Sequence, residues 1–317
     1  MLRLNKSTVL TAMALGLALL LPQRAAAEKL PVVASFSILA DLMKVVGGER
    51  VAVTSLVGPD ADAHVFDPTP QDAVRIARAR LVVVNGLGFE GWQQRLLQAA
   101  RYRGEVVVAS TGVKPRGHEH QADPEHDGHA HGHLDPHAWQ DPHNVMLYVA
   151  NIAAALARVD PQGAALYRAN AASYQMRLRE LDAWAGARFA QIPVNRRRAV
   201  TAHAAFDYLA ARYGLRLSAL QALSTESEPS ARAIGELVRR MRADGTAAVF
   251  AENLHNARLL RQLAGEAGVT VGGKLYSDAL SAPRGPAPTY LALMRYNVDQ
   301  LARGMQGNAS KPGPGLQ

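Results

Sequence analysis

Short runs of β-branched and other apolar residues alternate with longer, partly polar stretches along most of the chain. In the N-terminal half these apolar runs are Pro31–Ser35, Val51–Val57, Leu81–Asn85 and Glu105–Ala109. Thr69 and Pro70 form a helix-start signal after the second run, because threonine caps a helix and proline suits its first position. Short strands separated by helical segments predict βαβ units and a parallel sheet.

The same alternation returns in the C-terminal third of the chain. Its predicted strands are Ala199–Ala202, Leu215–Leu220, Ala247–Ala251, Val269–Val271 and Lys274–Tyr276. Between and after them, helices are predicted up to Gly214, from Ser230, over Ala257–Ala267 and over Pro288–Arg303. This pattern predicts a second parallel sheet that is also flanked by helices.

The longest helical pattern separates the two alternations. Its apolar side chains recur every three or four residues, at Tyr174, Leu178, Leu181, Ala185 and Phe189. Pro161 to Ile192 is 32 residues, or about 48 Å of helix. The predicted fold class is therefore α/β, with two similar lobes, each a parallel sheet flanked by helices, joined by one long rigid helix. We assign 28–160 to the N-terminal lobe, 161–192 to the linking helix, 193–306 to the C-terminal lobe and 307–317 to a disordered tail.

Residues 1–27 have the pattern of a secretory signal peptide. Arg3 and Lys6 precede the apolar run Val9–Leu21, and Ala25-Ala26-Ala27 supplies a small-residue cleavage site. The apolar run is short for a membrane span, which disfavours a retained anchor. The chain has no cysteine, so we expect no lipid-attached thioether and a soluble protein in the periplasm. A metal site would have to use nitrogen and oxygen ligands.

The charge of the chain does not indicate a nucleic-acid partner. The formal net charge of +8 falls to +5 when Arg3, Lys6 and Arg24 are removed with the signal peptide. The other basic residues are scattered, apart from the triplet 196–198, which has no interleaved aromatic residues. We expect a solvated loop there, and a monomer that binds no nucleic acid.

Eight of the eleven histidines lie between Gly117 and His143. Such a composition buries little apolar surface, whereas neutral imidazole is a common ligand of transition metals. A tract of this kind therefore predicts metal binding. We interpret the loop 117–133 as a low-affinity metal collector, with a solvated spacer as the alternative; its histidines are His118, His120, His126, His129, His131 and His133.

Four further metal-binding candidates follow predicted strands. His64 lies after the strand that ends at Val57, His137 after the histidine-rich loop, His203 at the end of AVTAH, and Asp278 beyond KLY. Ligands of open α/β sheets bind at the carboxyl ends of the strands. Each lobe would contribute two of these side chains, and we expect a metal site in the cleft between the lobes.

The chain resembles the metal-specific solute-binding proteins of ATP-driven (ABC) importers, in the group known as cluster A-I. The matching pieces, in the order of the family, are GPDADAHVFDPTPQD, NGLGFEGW, DPHAWQDP, TAHAAFDYLAARYGL, SEPSARAI and LYSDALS. The resemblance implies that His64, His137, His203 and Asp278 bind the metal and that a single long helix joins the lobes. It also implies a membrane permease and a separate ATPase subunit as partners. A periplasmic zinc metallochaperone is a further candidate partner, since the histidine-rich loop could receive zinc from another protein.

The third ligand bears on the metal. Manganese- and iron-binding members of this family typically have glutamate there, whereas zinc-binding members have histidine, the residue found at His203. Three imidazoles and one carboxylate suit tetrahedral Zn²⁺, and manganese prefers more oxygen. Copper remains open, because it binds nitrogen ligands more tightly than zinc does. Glu228 and Glu252 are candidates to orient a ligand histidine or to tether a ligand-bearing loop, with a structural salt bridge as the alternative.

An exported zinc hydrolase is the rival functional class. A catalytic zinc keeps one position open for water and needs a general base nearby. Four protein ligands would fill a tetrahedron, and the chain has no H-E-x-x-H motif. The sequence therefore favours a binding protein that captures zinc and hands it on, and not an enzyme.

Overall fold

The N-terminal lobe contains a parallel four-stranded sheet. A computed structural model describes residues 28–117, 134–223, 225, 230–254 and 257–307. The strands are β1 (Leu30–Phe36), β2 (Val51–Val57), β3 (Leu81–Val84) and β4 (Glu105–Val108), in the order β2-β1-β3-β4. The helices α1 (Ser37–Gly47), α2 (Pro70–Arg78) and α3 (Gln93–Ala99) alternate with them. The predicted start of α2 is confirmed, since Thr69 precedes Pro70 as the N-cap and forms a capping box with Asp72 in the first turn.

The C-terminal lobe repeats this arrangement. Its sheet contains β5 (Arg198–His203), β6 (Arg216–Gln221), β7 (Ala248–Val249) and β8 (Thr270–Val271), in the order β6-β5-β7-β8, and all its pairings are parallel. The helices of this part of the chain are α6 (Asp207–Tyr213), α7 (Ala231–Asp244), α8 (Ala257–Ala267) and α9 (Tyr290–Gln306). The two sheets thus have the same strand order, which confirms the predicted α/β fold with two similar lobes.

A long helix lies between the two sheets in the chain, as the sequence predicts. The α-helix α5 covers Ala164–Ala190, and a 3₁₀ turn at Pro161–Gly163 precedes it. The helix therefore begins later and ends earlier than the predicted range 161–192. Its buried side chains are those of the apolar repeat, together with Tyr167 and Ala171. The proposed division of the chain into lobes and linking helix remains a prediction.

Helix α4 (Pro142–Val159) packs along α5 and is not among the predicted elements. Asp141 caps it by accepting a hydrogen bond from the backbone N–H of His143. Its buried side chains Val145, Val149, Ile152 and Leu156 have helical spacing.

The prediction of a strand at Lys274–Tyr276 is wrong. Only an isolated bridge between Leu275 and Glu252 forms there. The side chain of Asn297 in α9 takes the place of a neighbouring strand, because its Oδ1 accepts from the N–H of Tyr276 at 2.9 Å and its Nδ2 donates to the carbonyl at 2.6 Å. The carboxyl end of the C-terminal sheet is thereby tied to α9.

The hydrophobic core has two parts. The larger one runs from the N-terminal sheet through α5 to α9 and to one side of β5. The smaller one lies between the C-terminal sheet and α7 and α8, and includes Val200, Val249, Leu237 and Leu263. Among the described helices, none combines the length and the apolar character needed to cross a membrane. The predicted signal peptide, the histidines of the 117–133 loop and the tail beyond Gly307 lie outside the described residues.

Candidate metal site

The structure brings His64, His137, His203 and Asp278 together. One ligand atom from each of them lies within 4.8 Å of all the others. The Nε2 atoms of His64 and His137 are 3.3 Å apart. The carboxylate of Asp278 is 3.0 Å from Nε2 of His203, 3.4 Å from that of His64 and 3.6 Å from that of His137.

These separations suit one tetrahedral ion. Zinc binds histidine nitrogen and carboxylate oxygen at about 2.0–2.2 Å, which places tetrahedral ligands about 3.3–3.6 Å from one another. His137, His203 and Asp278 are fully buried, and the side chain of His64 is 7% exposed. Four polar side chains that converge on one point inside a protein are arranged to share a ligand.

His203 ends a strand, and the other three donors lie in loops. His64 lies in the loop between β2 and α2, where Asp62 accepts a hydrogen bond from its backbone N–H at 2.8 Å. His203 is the last residue of β5. His137 and Asp278 lie in loops, the first before the 3₁₀ turn Ala138–Gln140 and the second after Leu275.

Two buried carboxylates orient the histidines from behind. Nδ1 of His137 lies 2.7 Å from Oδ1 of Asp135, and Nδ1 of His203 lies 2.7 Å from Oε2 of Glu252. With the Nδ1 proton donated to a carboxylate, the Nε2 lone pair faces the ion. Glu252 is one of the candidates expected from the sequence. Asp135 is not, although its place two residues before His137 is a readable signal. Glu228 lies outside the described residues.

The charges of the site are strongly coupled. Burial by itself lowers the pKa of His203, but the carboxylates of Glu252 and Asp278 outweigh this effect and raise it well above 6.5. Burial also opposes ionisation of Asp278, yet the nearby histidines, His203 first, hold its pKa well below 3.8. Without a bound ion, a proton on His203 therefore offsets part of the negative charge of three buried carboxylates.

Aromatic rings enclose the donors on the side of the N-terminal lobe. The ring of Phe89 meets His64 edge-on at 4.8 Å between centroids, and that of Trp139 meets His137 at 5.3 Å. Phe36 packs against both aromatic rings at 5.0 Å. A wall of this kind excludes water and strengthens the interaction of a cation with the buried carboxylates.

Replacing Asp135 with asparagine is expected to weaken metal binding about 10- to 100-fold, the usual effect of losing a carboxylate behind a ligand histidine. The amide keeps the size of the side chain but removes the charge that stabilises the imidazole. Competition with a chromophoric chelator measures the change, and D299N, at a partly exposed carboxylate on α9, is the control. Equal affinity of the two variants would contradict this role for Asp135.

The fold and the buried cluster of four donors define the class, a metal-binding component of an ABC transporter. Residues 32–304 match the family described as "Zinc-uptake complex component A periplasmic". The chain therefore belongs to this family of substrate-binding proteins, whose members act with a membrane permease and an ATPase.

Individual relatives differ in the metal that their names give. The chain is 33% identical to the iron-binding protein YfeA of Yersinia pestis over 278 residues, which cover 88% of this chain and 87% of that protein. It is 34% identical to the manganese-binding lipoprotein MntA of Halalkalibacterium halodurans, with 88% and 89% covered. The structure of the periplasmic zinc-binding protein TroA of Treponema pallidum aligns with a TM-score of 0.79 at 26% identity, covering 87% and 99%.

Proposed function

We propose that this protein captures zinc in the periplasm and delivers it to the permease of an ABC importer, whose separate ATPase subunit drives release. The observation that carries the proposal is the buried cluster of three imidazoles and one carboxylate, whose ligand atoms lie within 4.8 Å of one another. His64, His137, His203 and Asp278 are the proposed ligands, and zinc is the transported substrate.

The ligand chemistry supports zinc over manganese and iron. A compact set of three nitrogens and one oxygen suits a four-coordinate ion, whereas manganese favours octahedral oxygen-rich sites. The names of relatives include iron, manganese and zinc, so the family alone leaves the metal open. Copper is the competitor that the donor set resists least, because the Irving–Williams order favours it.

The same four donors argue against a hydrolase. A catalytic zinc needs a position for water, and four protein ligands leave none in a tetrahedral site. The carboxylates that lie near the ligands, Asp135 and Glu252, are each engaged with the Nδ1 of a histidine at 2.7 Å. They therefore serve orientation and not proton transfer to a substrate.

The proposal places the protein in the periplasm, with residues 1–27 as its export signal. The family contains lipoproteins, and a chain without cysteine has no thiol for a lipid thioether. The histidines of the 117–133 loop are proposed to collect zinc weakly for the cleft, because ordering a flexible segment around an ion costs conformational entropy. Handover from a metallochaperone stays a prediction.

A competitive zinc titration of the metal-free protein tests this function. We expect one tight equivalent in the wild type, weakened by more than about tenfold in His203→Ala, since direct ligands matter at least as much as their outer partners. His143→Ala is the matched control, because His143 is an exposed histidine on the first turn of α4. Tighter binding of manganese than of zinc, or no effect of His203→Ala, would overturn the proposal.

A further inference from the structure

The segment 277–282, which carries Asp278, follows the C-terminal sheet in the chain but contacts the N-terminal lobe. The carbonyl of Ser277 accepts hydrogen bonds from Nε1 of Trp139 at 3.0 Å and from Nε2 of Gln140 at 2.8 Å. Both donors belong to the 3₁₀ turn that follows His137. The residue before Asp278 is therefore fixed to the turn that carries another proposed ligand.

The residues after Asp278 are held from the same side. The N–H of Leu280 donates to Oγ of Ser37 in α1 at 3.0 Å, and its carbonyl accepts from the N–H of Asp60 at 2.9 Å. The carboxylate of Asp60 accepts from the N–H of Ala282 at 3.0 Å. Ser37 and Asp60 both belong to the N-terminal lobe, so hydrogen bonds to that lobe flank Asp278 in both directions along the chain.

The C-terminal sheet bonds the chain only up to Leu275, although Asn253 beside it also donates to Oδ1 of Asp60 at 3.1 Å. Leu275 is the last residue that pairs with it, through Ala251 and Asn253, and Tyr276 is already bound by Asn297 of α9. Among the described residues, no backbone hydrogen bond joins 277–282 to β5–β8. His203, in contrast, is part of β5, and Glu252 accepts from its N–H at 3.0 Å.

We propose that His64, His137 and Asp278 form a preformed set of three ligands on the N-terminal lobe, which His203 alone closes from the C-terminal sheet. This differs from the even division that the order of the residues in the chain suggests. Asp60 is then a positioning residue, because it holds the backbone on the far side of Asp278. The inference rests on the proposed function and adds how the site opens: zinc release requires only that the β5 end withdraw His203.

Hydrogen–deuterium exchange of the full-length mature protein, with and without zinc, tests this division. Peptides that cover 198–206 are expected to exchange more slowly when zinc is bound. Peptides that cover 277–283 are expected to exchange equally slowly in both states. The hydrogen bonds that their backbone N–H groups donate to Ser37 and Asp60 do not need the ion. Zinc protection of both segments alike would overturn the inference, while zinc protection of neither would count against the proposed zinc site itself.

Asp60→Ala tests the positioning role. Zinc affinity is expected to fall about 10- to 100-fold, and in the metal-free variant the 277–283 peptides are expected to exchange faster while those of 198–206 do not change. Asp60 has a left-handed backbone, with φ at +50°, which asparagine tolerates better than alanine. Asp60→Asn, which keeps one acceptor oxygen, is therefore expected to recover part of the affinity. Lower thermal stability with unchanged zinc affinity in both variants would show a merely structural role and overturn the assignment.

Discussion

Replacing Asp278 with asparagine is expected to weaken zinc binding by more than about 100-fold. This exceeds the largest loss of affinity usually seen when a carboxylate that only hydrogen-bonds a ligand histidine is removed. Asp278 is the one anion among the four proposed ligands, and it is fully buried. An amide of nearly the same size fills the space but offers zinc a neutral, weaker donor. The buried cation would keep only the more distant charges of Asp135 and Glu252 as compensation.

Chelator competition at fixed pH measures the affinity of Asp278→Asn. Asp244→Asn is the control, since Asp244 is an exposed carboxylate at the end of α7. The metal-free Asp278→Asn protein should be less stable than the wild type, because it loses the pairing of the ionised Asp278 with His203, so its unfolding free energy is measured alongside the affinity. A variant that retains wild-type zinc affinity would show that Asp278 is not a ligand.

The zinc affinity is expected to fall about tenfold for each unit of pH below the raised pKa of His203, which corresponds to about 1.4 kcal/mol per unit. Zinc must displace the proton that Glu252 and Asp278 hold on this imidazole. Over about three pH units the loss approaches 1,000-fold. Isothermal titration across a pH series, with correction for the protonation of the buffer, measures it, and an affinity independent of pH in this range would contradict the prediction.

The stability of the metal-free protein should change in the opposite direction. Because the pKa of His203 in the folded state lies above its ordinary 6.5, the bound proton stabilises the fold fully below that value, and this contribution is lost as pH rises through the raised pKa. The lowered pKa of Asp278 affects the acidic end of the pH range. The ionised carboxylate contributes fully to the stability of the fold above pH 3.8, and this contribution is lost as pH falls through the lowered pKa. The rise in Tm on adding zinc should therefore be larger at alkaline than at mildly acidic pH.

Urea unfolding of the metal-free protein over a pH series checks this linkage. His203→Gln is the matched variant, because glutamine does not titrate. It should lose the decline in unfolding free energy that the wild type shows above pH 6.5. An identical decline in both proteins would assign the effect to other groups.

Local patterns in the sequence were sufficient for most of the fold. The inner strand β3 is a continuous apolar run that is buried throughout, and its neighbour β1 is buried along most of its length, as expected of strands covered on both faces of a parallel sheet. The apolar repeat of α5 has the spacing of a helix with one buried stripe. Helix α4 carries an equally readable repeat and the start signal Asp141-Pro142, so its absence from the predicted elements does not reflect a missing local pattern.

The strand proposed at Lys274–Tyr276 shows where a local pattern is insufficient. A short apolar segment that follows two glycines is compatible with a strand. A strand, however, needs a neighbouring strand whose backbone forms hydrogen bonds with its own. Here Asn297, 21 residues further along, satisfies the backbone of Tyr276 with its side chain. Nothing near Tyr276 in the sequence indicates this partner.

The sequence by itself determined the α/β alternation, the long helix and the four candidate donors, because periodicity and donor chemistry are properties of neighbouring residues. Only the tertiary structure decided that these donors meet within 4.8 Å, that Asp135 holds His137, and that Trp139 and Asp60 hold the backbone around Asp278. Those contacts depend on how the lobes pack. The bonds to Ser277 and Ala282 join residues 138 and 222 positions apart, and hydrogen bonds over such separations leave no local pattern in the chain.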